Sequence, residues 1–296
     1  VATPLVELAP AKINLTLRVL GRRADGYHEL ASLVAFADLA DTLTLQPGDS
    51  CTLDVTGPFA ARSGPGKDNL VLKAAAALRQ RIDGLRAGHF QLAKNIPVAA
   101  GIGGGSADAA AALRLLARAN SIALDDPRLG AAALSVGADV PVCLDPRPRL
   151  MQGIGERLSP PLALPFLPAV LVNPGVPLAT RDVFAKFAGA PDGRSPIADP
   201  PATFAALVDY IKGEANDLTP AAVACVPAIA DILAALEALP GALLARMSGS
   251  GASCFALFAT RGEAAAAAWM LQSRRPEWWV SPVTIGAARP LENARI

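Results

Sequence analysis

The segment Pro97-Val98-Ala99-Ala100-Gly101-Ile102-Gly103-Gly104-Gly105-Ser106-Ala107-Asp108 carries four glycines within residues 101–105. Glycine tolerates positive φ and lets backbone N–H groups converge on an anion. Ser106 stands where a helix N-cap belongs, directly before an alanine-rich helical stretch at residues 107–119, so the positive end of that helix would face the same anion. Phosphate binding is the chemistry this pattern predicts, although a glycine-rich turn can also serve close packing alone. A Walker A reading fails, because Gly66-Lys67 is followed by Asp68 and lacks the upstream glycine. A dinucleotide fingerprint matches in part, with Gly101 and Gly103 present and Asp125 at the spacing of a ribose-binding acid. Ser106 replaces its third glycine, however, and residues 1–96 precede the loop where a single first strand is required.

Two further groups could do chemistry. Lys12 and Asn14 share the polar side of an alternating stretch at residues 12–19, so both project into one space. Asp139 lies among small and apolar residues in Gly137-Ala138-Asp139-Val140-Pro141, and a carboxylate in such a place needs a partner. If Lys12 and Asp139 meet beside the glycine loop, they can orient a hydroxyl, ease its deprotonation and offset the charge of a moving phosphoryl group. Arg246-Met247-Ser248-Gly249-Ser250-Gly251 forms a second glycine-rich turn, which fits either a tight hairpin or a close approach of ligand to backbone.

The elements that must position these groups are legible from periodicity. Period-two alternation predicts strands at 12–19, 42–45 and 52–55, the last two joined as a hairpin or meander through Pro47, Gly48 and Asp49. Leu70, Ala74, Leu78 and Ile82 recur at helical spacing and predict an amphipathic helix over 69–82. A strand at 89–93 leads into the glycine loop. Pro and charged residues at 145–149, then Gly153 and Gly155, interrupt the pattern and place a boundary between domains 1–155 and 156–296. The second half reads as strands at 169–172, up to 247, 253–258 and 279–285, with helices at 181–187, 203–212, 221–239 and 263–274. The last strand is a candidate to return to the first domain. Residues 189–201, rich in Gly, Pro and Asp, read as a loop. Strands and helices mix without strict βα alternation, so an α+β fold is expected.

Composition narrows the partners. With 27 Lys plus Arg against 26 Asp plus Glu, the net charge of +1 excludes a surface built to grip nucleic acid. Apolar stretches such as 162–172, broken by Pro165 and Pro168, fall short of the roughly 20 residues a membrane helix needs. The first ten residues show no basic segment followed by an apolar run, so a cytoplasmic protein is expected. Cys51, Cys143, Cys225 and Cys254 are dispersed, and His28 and His89 are the only histidines, which argues against disulfides or a zinc centre. Any metal should be a hard cation.

Taken together, Pro10-Ala11-Lys12-Ile13-Asn14-Leu15, the glycine loop, Gly137 to Pro141 and the late turn at Ser248 to Gly251 resemble the GHMP small-molecule kinases. Arg23-Ala24-Asp25-Gly26-Tyr27-His28-Glu29-Leu30 is similar to the branch acting on a cytidine diphosphate derivative of methylerythritol, in the non-mevalonate route to isoprenoid precursors. The resemblance implies a two-domain α+β fold, with an N-terminal ribosomal-protein-S5-like domain, a C-terminal α+β sandwich and the active site in the cleft between them. It implies ATP as co-substrate with Mg²⁺, carried by the ATP phosphates and touched by Ser106. By the same resemblance, Lys12 and Asp139 are the catalytic pair, and Pro97 through Ala107 hold the ATP phosphates. Asn69, Leu70 and Lys94 surround adenine and ribose. Tyr27 and His28 recognise cytosine while Phe184 stacks on its other face, and Asn14, Thr180, Ser248, Gly249, Ser250 and Gly251 lie near that substrate. Phe184 also fits a core aromatic of an amphipathic helix. Two positions depart from the family pattern: Ala99 replaces a glycine, harmless if its φ is negative, and Ala107 replaces a serine whose hydroxyl could have met phosphate or metal.

Overall fold

The computed structural model describes residues 3–63, 66–189 and 197–286. Of the loop expected at 189–201, residues 190–196 lie outside the described residues. In chain order the strands are β1 (Leu5–Asn14), β2 (Arg18–Arg22), β3 (His28–Gly48), β4 (Cys51–Thr56), β5 (Ala87–Ala93), β6 (Arg149–Gly153), β7 (Arg157–Leu158), β8 (Leu167–Asn173), β9 (Leu244–Met247), β10 (Cys254–Leu257) and β11 (Trp279–Gly286). The helices are α1 (Leu70–Arg79), α2 (Gly104–Ala119), α3 (Pro127–Val136), α4 (Val140–Leu144), α5 (Thr180–Lys186), α6 (Phe204–Gly213), α7 (Thr219–Cys225), α8 (Ala228–Glu237) and α9 (Arg261–Arg274).

β3 organises the sheet. It pairs antiparallel with β1, β2, β5, β6 and β11, and the sheet continues from β11 through β8 and β10 to β9. The expected α+β class is what the structure shows. β3 is far longer than the alternation at 42–45 implied, because residues 31–37 are buried on both faces and leave no polar face to betray a strand. The hairpin expected between 42–45 and 52–55 does not form. β4 pairs in parallel with β5, which inserts between it and β3, and the Gly88 N–H donates to the Ser50 carbonyl at 2.7 Å where the chain turns. The stretch at 149–153, expected to be irregular, is β6 on β3.

α1 starts on an Asn69 cap, whose side chain accepts from the Val71 N–H, and buries Val71, Ala74, Ala75 and Leu78. α2 is buried almost throughout, since alanine lets β1, β3 and α1 approach it closely. The helix expected over 221–239 is broken into α7 and α8. Pro227 forces Val226 into extended backbone and ends α7 there. α9 has a capping box between Thr260 and Glu263. One core fills the space between α1 to α4 and the first strands, a second lies under α7 to α9, and a third, around Ile13, Leu33 and Phe255, covers the opposite face of the sheet.

Candidate active site

The end of β1 supplies the floor of a 1230 Å³ cavity. Lys12 is 3% exposed, and its Nζ lies 3.0 Å from Asp139 Oδ2 and donates to Asn14 Oδ1 at 2.9 Å. Asn14 is fixed in turn: its Nδ2 donates to Ser32 Oγ at 2.8 Å and its backbone N–H to Ser248 Oγ at 3.1 Å. Asp139 immediately precedes α4 but does not cap it, so its carboxylate, 37% exposed, is left to face Lys12 and the cavity. The juxtaposition expected from sequence is therefore present: a buried ammonium beside a half-exposed carboxylate.

The glycine loop forms the adjoining wall. Gly103, at φ +64°, is the residue that caps α2, so the helix begins earlier than expected and Ser106 sits in its first turn rather than at its cap. Ser106 thereby joins the first-turn residues on the cavity wall. The first-turn N–H groups of a helix lack intrahelical partners, and here they belong to Gly104, Gly105 and Ser106, all lining the cavity. Pro97, Val98, Ala99, Ala100, Gly101 and Gly103 line it too. Ile102 does not: its side chain is in the core, and its carbonyl accepts from the Lys12 N–H at 3.0 Å. Ala107 also turns away, packing into the core of the first half, so a serine hydroxyl at this position would start from the core side and not from the cavity wall.

The late glycine turn grips this loop. Ser248 Oγ donates to the Gly101 carbonyl at 3.1 Å, the Ser253 N–H donates to the Ala100 carbonyl at 2.9 Å, and Asn216 Nδ2 donates to the Met247 and Gly249 carbonyls at 2.8 Å. Gly249 and Ser250 line the cavity, and the Ser250 and Thr180 hydroxyls hydrogen-bond at 2.9 Å. Ser248 and Gly251 do not line it; they brace the loop from behind.

Ala99 has φ +52°, so the negative φ that would make its methyl harmless is not what the structure has. A left-handed alanine costs about 1–2 kcal/mol, while glycine adds roughly 0.4–1 kcal/mol of unfolded-state freedom. Ala99→Gly is therefore expected to stabilise the protein by up to about 1 kcal/mol, read as a higher denaturant midpoint at unchanged slope. A lower midpoint would show that the methyl's contacts outweigh the strain.

At one end of the cavity stand Asn69, Leu70 and Lys94. Asn69 already spends its side-chain oxygen on the α1 cap. Lys94 is not an open nucleoside ligand. It is buried between Asp41 and Asp108, donating to both, at 2.6 Å in the case of Asp108 Oδ2. Burial alone would lower the Lys94 pKa, but the two carboxylates outweigh it and raise it.

At the other end, His28 stacks on Phe184 with centroids 4.8 Å apart and planes at 21°, and Phe187 meets His28 edge-on at 5.9 Å. A base held between two rings needs them about 7 Å apart, two aromatic thicknesses. The pyrimidine slot expected between His28 and Phe184 is thus closed, because the rings pack on each other. Burial, then the charge of Arg22, holds the His28 pKa below the ordinary histidine value, so the ring is neutral at pH 7, with one N–H donor and one acceptor. Tyr27 is 61% exposed on a turn made by Arg23 and Gly26, and it lines the cavity. Arg22 and Arg181 also line the cavity, and sequence reasoning assigned neither. It likewise missed Asp41, Ser32 and Asn216, which act only through tertiary contacts. Asp125, the acid of the dinucleotide reading, is exposed and outside the cavity.

Comparison with known proteins shows the family. The GHMP kinases N terminal domain model matches residues 69–145, and the GHMP kinases C terminal model matches 204–275. A 4-diphosphocytidyl-2-C-methyl-D-erythritol kinase of Bradyrhizobium sp. is 53% identical over 95% of this chain and 97% of that protein, and one of Rhodopseudomonas palustris is 56% identical over 94% and 96%. A crystal structure of 4-(cytidine 5'-diphospho)-2C-methyl-D-erythritol kinase superposes with TM-score 0.76 at 36% identity, over 96% of this chain and all of that one. A homoserine kinase from Cytophaga hutchinsonii shares the fold at 18% identity and TM-score 0.70, over 98% of this chain and 97% of that one. With the Lys12–Asp139 pair, the glycine loop and the aromatic end joined in one cavity, and relatives above half identity over nearly their full length, the chain belongs to the GHMP kinases and, within them, to the 4-diphosphocytidyl-2-C-methyl-D-erythritol kinase family.

Proposed function

We propose that this kinase transfers the γ-phosphoryl group of ATP to the 2-hydroxyl of 4-diphosphocytidyl-2-C-methyl-D-erythritol. The observation that carries the reading is the Lys12–Asp139 pair at 3.0 Å, set between a glycine-lined helix N-terminus and an aromatic end within one cavity. Asp139 accepts or orients the hydroxyl proton. Lys12, held by Asn14, offsets charge on the phosphoryl group in flight. The N–H groups of Gly104, Gly105 and Ser106 seat the phosphates.

Among the described residues no group of three or more His, Cys, Asp or Glu converges to hold a metal. Mg²⁺ therefore fits as a companion of the ATP phosphates, with the half-buried Ser106 hydroxyl as its protein contact. When bound it supplies charge neutralisation at the phosphates. The cytidine end is proposed to engage by parting the His28–Phe184 stack, with Tyr27 closing over the base. Neutral His28 presents a donor and an acceptor to the pyrimidine edge. Thr180 and the 248–251 turn border the sugar and diphosphate. Residues 1–155 and 156–296 are proposed as the two domains. No described helix is long and apolar enough to cross a membrane, and highly charged, ATP-linked reactants suit a cytoplasmic reaction.

The test is ADP release with the cytidylyl alcohol beside homoserine and mevalonate. Turnover is expected with the first alone; turnover only with one of the others would overturn the substrate assignment. Stacking on a base contributes about 1–3 kcal/mol. Phe184→Ala should accordingly raise KM for the cytidylyl substrate about 5- to 150-fold while leaving KM for ATP within about twofold. Equal changes in both would remove Phe184 from the substrate side.

A further inference from the structure

The Lys12–Asp139 pair is backed by a hydrogen-bond chain whose direction is dictated from both ends. Lys12 Nζ is an ammonium and can only donate, so the Asn14 atom that meets it at 2.9 Å must be the amide oxygen. At the far end the Ser32 hydroxyl donates to the Thr16 carbonyl at 2.5 Å, and a carbonyl can only accept. With its one proton spent there, Ser32 Oγ meets Asn14 as an acceptor, and Asn14 Nδ2 is the donor at 2.8 Å. Both ends therefore require the same face of the Asn14 amide. A flipped amide would set N–H groups against the ammonium and an oxygen against the lone pairs of Ser32.

The chain is well sealed. Asn14 and Ser32 are each 1% exposed and Thr16 is fully buried, so a lost partner on this side leaves a buried donor unsatisfied. Ser32 is itself held from β3. The Leu33 N–H donates to Thr16 Oγ1 at 3.0 Å and the Leu15 N–H to the Leu33 carbonyl at 2.8 Å, which ties the link between β1 and β2 to the strand carrying Ser32. Lys12, Asn14 and Asp139 line the cavity, whereas Thr16 and Ser32 do not.

Resting on the reading of Lys12 and Asp139 above, we propose that Ser32 is a positioning residue for phosphoryl transfer. Acting through Asn14, it holds the amide oxygen toward Lys12, so that the ammonium is shared between Asn14 and Asp139. Without that hold the Asn14 amide rotates and Lys12 leans on Asp139 alone. The carboxylate is then less free to accept or orient the hydroxyl proton. The effect falls on the chemical step, because Ser32 stands behind the wall that the reactants touch.

The test is steady-state kinetics with ATP and the cytidylyl substrate, with a thermal melt of each variant. Ser32→Ala is expected to lower kcat about tenfold, the weight of one buried hydrogen bond, with KM for both reactants within about twofold. In an Asn14→Ala background the same change is expected to cost less than about twofold, because Ser32 acts through Asn14. A merely structural contribution would take about tenfold again. That result, a Ser32→Ala kcat within about twofold of wild type, or a rise in KM at unchanged kcat would overturn the proposal. Ser32→Cys fills the same space with a weak acceptor and should be slow even if the alanine protein fails to fold, whereas Ser32→Thr retains the hydroxyl and should recover kcat to within about threefold. The reverse order of these two would overturn the proposal as well. Amide exchange by NMR gives a readout that needs no substrate. The Asn14 side-chain protons, identified by their loss in Asn14→Ala, should be protected in the wild type and exchange at least about tenfold faster in Ser32→Ala. Equal exchange would remove the role of Ser32, while Lys12→Ala at near-normal kcat would count against the reaction reading instead.

Discussion

Asp139→Asn is expected to lower kcat by about 10²- to 10⁴-fold, the usual weight of a positioned acid or base, with KM for ATP changed little. The substitution preserves shape but removes the charge facing Lys12 Nζ at 3.0 Å. It should leave the fold intact, because the Asp139 side chain caps no helix and is 37% exposed. Lys12 keeps a hydrogen bond to Asn14 Oδ1, so its ammonium is not stranded. Single-turnover kinetics with the cytidylyl substrate, together with a thermal melt, separates the two effects. Turnover within about tenfold of wild type would remove Asp139 from the reaction.

The second large effect is structural in origin. At Gly101, φ is +74°, and a β-carbon would stand 2.3 Å from the Gly251 carbonyl oxygen and 2.8 Å from its nitrogen. Both obstacles are backbone, held by the Ser248 and Ser253 hydrogen bonds to the loop, so neither can rotate away. Strain and overpacking together predict a loss of about 2–5 kcal/mol for Gly101→Ala, with ATP affinity lost in any protein that still folds. Gly130→Ala is the matched control. It lies within α3, a β-carbon there meets nothing within 4 Å, and a gain of about 0.5–1 kcal/mol is expected. Equal melting behaviour of the two variants would contradict the clasp between the two glycine turns.

What could be seen in the sequence followed from how local each signal is. The Lys12, Asn14 and Asp139 side chains were recognisable because short motifs carried them, and α1 because an amphipathic period did. β3 was largely hidden because burial on both faces erases alternation. The β4–β5 pairing was invisible because a parallel partner arrives after an intervening helix, and a hairpin is the default reading of two nearby strands. Ser106 was misplaced by one turn because a left-handed glycine took the cap. At the aromatic end His28 and Phe184 are brought together but leave no slot between them, since two rings without a base between them close on each other. Asp41 and Asn216 had no sequence signal at all, because a buried polar side chain shows its purpose only once its distant partners are placed.

β11 gives the assembly a timetable. Among the described strands β11 joins the two halves of the sheet, pairing with β3 at Ala37 and Phe36 and with β8 along its length. At about 5–20 residues per second of synthesis, β3 waits roughly 10–50 s after its own completion before residues 279–286 exist. Through that interval the β3 positions Phe36 and Ala37 lack their β11 partners. The wall carrying Thr180 and Phe184 and the wall carrying Lys12 thus gain their β11 link last, on top of the backbone bonds that Leu17 makes with Ala215 and Asp217.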